Sequence, residues 1–158
     1  MWKNLKPYVI SIAIALGVGA LAAFFTRNGM DIYQTVTQPP LSPAPAVFPI
    51  VWTILYTLMG ISSAMIYVKG AEKGIDTTLP LKIYAVQLAA NFLWTIVFFN
   101  LRWYLFAYIW LMALWVVIIV MIVQFRKISR PAAYLQIPYL LWVTFASYLN
   151  LMIYILNR

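Results

Sequence analysis

A chain of 158 residues suffices for one domain, but 65% hydrophobic, 17% aromatic and 9% charged residues, with a mean hydropathy of +0.90, describe a membrane protein and exclude a water-soluble globule. Cysteine and histidine are absent, so disulfides, zinc sites, thiolate or imidazole nucleophiles and histidine-ligated haem are excluded, and no metal or cofactor is expected. The three acids, Asp31, Glu72 and Asp76, are all expected in loops, which leaves no buried carboxylate pair for acid–base work or a proton relay.

Crossing a hydrocarbon core of roughly 30 Å takes about 20 mostly apolar residues at a rise of about 1.5 Å each. Five such runs occur, at residues 8–26, 48–68, 81–100, 103–125 and 132–156, with no alternation that would suggest barrel strands. The expected fold is therefore an all-α integral membrane protein, a five-transmembrane-helix bundle in a single domain, residues 1–158.

The first run follows Lys3 and Lys6, as a secretory leader would, but its apolar part exceeds the usual ~7–15 residues of a leader and it is read as a retained helix. Its Ala15, Gly19 and Ala23, with Gly60 and Ala64 of the second run, are small enough to let two backbones approach closely. Residues 27–47 then form a long loop. Gln38, Pro39, Pro40 and Pro43 stiffen it, which suggests a structured lid over the outer face.

The second run carries Trp52 and Tyr56 one turn apart. In the third, Gln87, Asn91 and Thr95 recur every four residues and share a face, with Trp94 and Phe98 beside them. Ala85 and Ala89 of the same run offer a seam for a homodimer through transmembrane helices. Leu101 and Arg102 alone join the third and fourth runs.

In the fifth run Pro138 denies the Tyr134 carbonyl its helical donor, so a kink is expected there. The other eight prolines, Pro7 among them, fall in loops or at helix starts. Beyond the kink come Trp142, Thr144, Ser147 and Asn150.

Eight of the 11 Lys and Arg residues lie before the first run, between the second and third (counting Lys82 at the edge of the third), and between the fourth and fifth; Arg27, Arg102 and Arg158 lie on the other side. This asymmetry puts the N-terminus in the cytoplasm and the C-terminus and long loop outside. It also explains the net charge of +8 as a basic rim against anionic lipid, with no nucleic acid as partner.

If the outer helix ends are level, Trp52 lies ~6 Å, Trp94 and Asn150 ~9 Å, Asn91 ~14 Å and Trp142 ~21 Å below them. Most of these groups then sit in the half beneath the loop. Two readings follow: a lidded pocket walled by indole, phenol and amide groups, or amides acting as interhelical glue and tryptophans as ordinary packing.

Four ordered stretches carry a family resemblance. They are Gln38-Pro39-Pro40-Leu41-Ser42-Pro43; Val51-Trp52-Thr53-Ile54-Leu55-Tyr56 through Gly60; Gln87-Leu88-Ala89-Ala90-Asn91-Phe92-Leu93-Trp94 with Phe98-Phe99; and Pro138 through Ala146 with Leu149-Asn150. In these the chain resembles the tryptophan-rich sensory protein family, also called TspO/MBR, whose members include bacterial proteins and the mitochondrial translocator protein, the peripheral benzodiazepine receptor. Two departures stand out. Many members have Lys where this chain has Gln38, and the cholesterol-recognition pattern of animal members is displaced here to Leu151 through Arg158, so a sterol ligand is not expected.

The resemblance implies a receptor in the bacterial cell membrane that binds tetrapyrroles such as protoporphyrin IX, and also isoquinoline carboxamide and benzodiazepine-type drugs. It implies light- and oxygen-dependent breakdown of the porphyrin as well, an enzyme activity that needs no acid, base or metal. Trp52, Trp94 and Trp142 are the candidate catalytic groups. Trp52, Tyr56, Gln87, Asn91, Trp94, Trp142, Ala146 and Asn150 are the candidate ligand-binding residues, with Asn91 or Gln87 donating one orienting hydrogen bond and Arg27 or Arg102 pairing the propionates. Passive carriage of a lipophilic ligand across the membrane is the alternative, since no buried ionisable residue is expected to couple transport to an ion gradient.

Overall fold

The computed structural model describes residues 2–158. Seven α-helices follow in chain order: α1 (Trp2–Phe25), α2 (Arg27–Tyr33), α3 (Val47–Lys73), α4 (Thr78–Thr95), α5 (Tyr104–Arg126), α6 (Arg130–Leu135) and α7 (Ile137–Asn157). A π-helical segment, Ile96–Leu101, prolongs α4. No strand occurs among the described residues. Five units are long and apolar enough to cross a bilayer: α1, α3, α4 with its π-helical extension, α5, and α6 with α7.

These units agree with the five expected runs, and their ends extend into the charged flanks. Helix α3 runs on to Lys73, so Glu72 lies in its last turn, 3.8 Å from Lys69, and not in a loop. Pro7 lies inside α1 and not at its start, where it withholds a donor from the Lys3 carbonyl. Residue Lys3 is exposed, so water can satisfy that carbonyl. Asp76 remains in a loop and accepts both the backbone N–H (2.9 Å) and the hydroxyl (2.6 Å) of Thr78, which organises the start of α4. Those bonds hold its carboxyl below the usual range.

Three other features differ from expectation for local reasons. The kink at Pro138 is a full break: α6 ends at Leu135, Gln136 turns, and α7 restarts with Pro138 in its first turn, where no N–H is needed. The long loop contains α2, which buries Gly29 so closely on the Phe99 carbonyl that a Cβ would lie 2.5 Å from it. The hairpin between the third and fourth spans turns at Arg102, left-handed at φ 55°, because Leu101 is still helical.

Helix α1 packs chiefly on α3, and α5 lies against α4, α6 and α7. The small residues explain the first pairing: a Cβ on Gly60 would come within 2.5 Å of Ile12 Cα, and one on Gly19 within 2.6 Å of the Tyr56 ring. Ala15 and Ala64 are fully buried as expected, but Ala23 is exposed. Helix α3 packs on α6 yet hardly on α7, because the break at Gln136 turns the chain away.

Candidate ligand-binding cavity

At the end of the bundle that carries the first loop, the helices enclose a cavity of about 380 Å³. From α3 come Phe48, Trp52 and Tyr56; from α4 and its extension Trp94, Thr95, Phe98 and Phe99; from α7 Trp142, Ala146, Leu149 and Asn150. The opposite side is α1, with Gly19, Ala22, Ala23 and Thr26, and the roof includes Arg27, Met30, Tyr33 and Pro45.

The aromatic rings meet edge to face more often than face to face. Trp52 and Trp142 have centroids 6.4 Å apart and planes at 90°, and Phe48 stands at 70° to Trp142 at 6.0 Å. Trp94 stacks on Phe98 at 5.4 Å and 25°. The π-helical turn widens the end of α4 and presents both Phe98 and Phe99 to the cavity. Tyr33 enters from α2, edge-on to Phe48 (6.1 Å) and Phe99 (5.3 Å). Burial raises the Tyr33 phenol to about 12, with a smaller contribution from Tyr104.

Most polar groups near the wall are already committed. Asn150 accepts from the Trp94 indole at 3.0 Å and donates to the Tyr104 carbonyl at 2.8 Å. Thr26 donates to the Ala22 carbonyl, and Thr95 to the Asn91 carbonyl. The Trp142 indole N–H is buried and has no acceptor. The Tyr56 hydroxyl accepts from Asn91 Nδ2 at 3.3 Å, which leaves its own proton to give.

The expected site residues therefore divide. Trp52, Tyr56, Trp94, Trp142, Ala146 and Asn150 come together on one wall. Gln87 and Asn91 do not reach it: both are fully buried, two turns and one turn before Trp94 respectively, and the two Gln87 amide atoms and Asn91 Oδ1 lack partners. Arg27 lines the rim, with its guanidinium 4.1 Å over the Phe24 ring and donating to the Phe24 carbonyl, whereas Arg102 stays outside.

Gln38, Pro39, Pro40 and Pro43 do not touch the cavity either. Three of them fasten the loop: Gln38 Nε2 donates to the Tyr33 carbonyl (2.9 Å), Ser42 to the Pro39 carbonyl (2.7 Å), and Tyr148 of α7 to the Pro40 carbonyl (2.8 Å). Asn157 exchanges two hydrogen bonds with the Thr37 backbone, at 2.9 and 3.0 Å.

The depth arithmetic also needs correction, because Trp52 and Trp142 touch despite their unequal distances from their helix ends. The helix ends are not level. Helix α7 runs past the start of α3, and its last turns reach the loop at Pro40 and Thr37. Sequence reading missed the α1 wall and Tyr33. The run of small residues from Gly17 to Ala23 was a signal for α1, since residues that permit close packing also leave room for a ligand.

The pattern of the TspO/MBR family matches residues 11–156. The chain belongs to the TspO/MBR family. It is 34% identical over 158 residues to the tryptophan-rich protein TspO of Chlorobaculum tepidum, covering 99% of each chain. With the protein of the same name from Archaeoglobus fulgidus the identity is 35% over 155 residues, 98% of this chain and 99% of that one. The translocator protein of Bos taurus is 34% identical over 133 residues, 84% of this chain and 79% of its own. Together with the five apolar helices, these matches make the chain an integral membrane protein of the TspO/MBR family.

Proposed function

We propose that this membrane protein is a receptor for tetrapyrroles of the protoporphyrin IX kind and for planar synthetic drugs of the isoquinoline carboxamide and benzodiazepine classes. The observation that carries this reading is the cavity itself, whose 380 Å³ falls within the ~300–1,000 Å³ of drug-sized sites and whose wall is mainly aromatic and aliphatic. A flat apolar ring system gains from contact with Trp52, Trp94 and Trp142, and the Trp142 N–H and Tyr56 hydroxyl give it direction. Arg27 is the cation at the rim that pairs an anionic tail.

In this reading the first loop is a lid, the loop end faces the outside of a bacterial cell, and a homodimer forms along Ala85 and Ala89, both exposed on α4. Light- and oxygen-dependent loss of the bound pigment follows from the same wall. Indole is the most readily oxidised side chain present, and Trp52 and Trp142 are in mutual contact. Among the described residues no Asp, Glu, Lys or Arg is buried, which argues against ion-coupled transport.

Titration of protoporphyrin in the dark, followed by illumination, tests both parts. Saturable dark binding is expected, weakened by Arg27→Glu, with bleaching faster than that of free pigment and slowed by Phe at Trp52, Trp94 or Trp142. Absence of saturation removes the receptor; unchanged bleaching in all three Phe variants removes tryptophan chemistry.

A further inference from the structure

A second hollow lies on the lipid-facing side of the bundle, between α3 and α7. Its volume is about 400 Å³ and its wall includes Ile54, Leu55, Pro138, Leu141 and Phe145. Ile54 and Leu141, 54% and 64% exposed, stand on its two rims and face the bilayer. The hollow exists because α7 turns away from α3 after the break at Gln136, so that side chains alone close the gap. Among the described residues one lines both this hollow and the central cavity: Trp142.

Trp142 is also held differently from its neighbours. The indole N–H of Trp94 donates to Asn150 at 3.0 Å, that of Trp110 to the Ala90 carbonyl at 2.8 Å, and that of Trp115 to the Thr144 hydroxyl at 2.9 Å. The Trp142 N–H is buried without an acceptor, and edge contacts with Phe48 and Trp52 and a tilted contact with Phe145 are what position the ring. Turning it breaks no hydrogen bond. The loop-side cover, in contrast, is tied down at Thr37, Pro40 and Gln38.

We infer that the α3–α7 hollow is a side port from the lipid, with Trp142 as its moving partition, through which uncharged lipophilic molecules pass between the bilayer and the central cavity. This rests on the reading that the cavity takes lipophilic ligands. The port complements the cavity's exposed edge, where Ala23, Arg27, Pro45 and Pro49 meet solvent or headgroups. A ligand with an anionic tail meets the guanidinium there; a neutral one finds in the hollow a wall with no charged group.

The absence of cysteine allows a direct test on the full chain in liposomes. Ala146→Cys places a single thiol on the cavity wall, and its labelling by an uncharged, bilayer-soluble maleimide is followed by mass spectrometry. Leu141→Trp or Ile54→Trp, each added to this background to fill the port from one rim, is expected to slow labelling about tenfold, equivalent to ~1.4 kcal/mol of barrier. Ala23→Trp at the exposed edge is expected to slow it less. Equal rates with and without the port-filling residues, or full protection by Ala23→Trp alone, overturns the port. Dark protoporphyrin titration of the same proteins judges the tetrapyrrole reading separately: a protein that binds no porphyrin yet shows port-dependent labelling keeps the port and loses the porphyrin.

Discussion

Trp94 and Asn150 are joined by a hydrogen bond from the indole Nε1 to Oδ1 at 3.0 Å, while the same amide donates to the Tyr104 carbonyl at 2.8 Å. One buried asparagine thus links α4, the start of α5 and α7, and fixes the ring that stacks on Phe98. It spends both ends of its amide doing so. Its part in the cavity is to aim Trp94.

Replacing Asn150 by Leu is expected to cost about 1 kcal/mol, since interhelical hydrogen bonds in membranes average ~0.6 kcal/mol each. The clearer effect is on Trp94, whose near-ultraviolet circular dichroism should weaken as its ring loses a fixed orientation. An unaltered aromatic spectrum would show that packing alone holds the indole.

The amide of Gln87 has the opposite standing. It is fully buried, neither end has a partner, and it is not on the cavity wall. Gln87→Met removes an unsatisfied group at similar volume and is expected to be neutral or to stabilise by about 1 kcal/mol, with the dark affinity for protoporphyrin unchanged. A large loss of affinity would return Gln87 to the ligand.

Glycine positions along the α1–α3 seam give a paired test. Gly60→Ala pushes a Cβ to 2.5 Å from Ile12 Cα, which is backbone and cannot step aside, so separation of α1 from α3 and a loss of about 2 kcal/mol are expected. Gly17→Ala meets nothing within 4 Å and should stabilise the helix by up to ~1 kcal/mol. Thermal unfolding in detergent should order them Gly17→Ala, wild type, Gly60→Ala.

Tyr33 gives the roof a pH limit. Burial favours its neutral form and raises the phenol from an ordinary value of 10 to about 12. The folded state therefore holds a proton that the unfolded chain releases at lower pH, and the stability linked to this group is complete below pH 10 and lost as pH rises toward 12. Tyrosinate absorbance in wild type minus Tyr33→Phe should titrate near the upper figure. A midpoint near 10 would mean an open roof.

The five spans were legible because each is a long apolar run and the bilayer sets its length. Part of the cavity wall was legible too, because Trp52, Tyr56, Trp94, Trp142, Ala146 and Asn150 sit at helical spacing among apolar neighbours. What could not be read depends on tertiary offsets. Helix α2 is seven residues long with Gly29 near its middle, a poor helix by propensity, and it packs against the π-helical segment and Phe99. The amides of Gln87 and Asn91 share the face of Trp94, yet spacing along one helix says nothing of where the void above them ends. Contact between Trp52 and Trp142 depends on how far α7 overruns α3, which no count of residues from helix ends supplies.

The central claim, that the indole-walled void is where a planar pigment sits, is tested most directly by filling it. Ala146 lies on the wall and is 7% exposed, so Ala146→Phe adds a ring to the void with little else disturbed. With unfolding temperature unchanged, the dark dissociation constant for protoporphyrin should rise about tenfold or more, at ~1.4 kcal/mol per factor of ten. A well-folded Ala146→Phe protein that binds the pigment as tightly as wild type would place the pigment elsewhere and contradict the account.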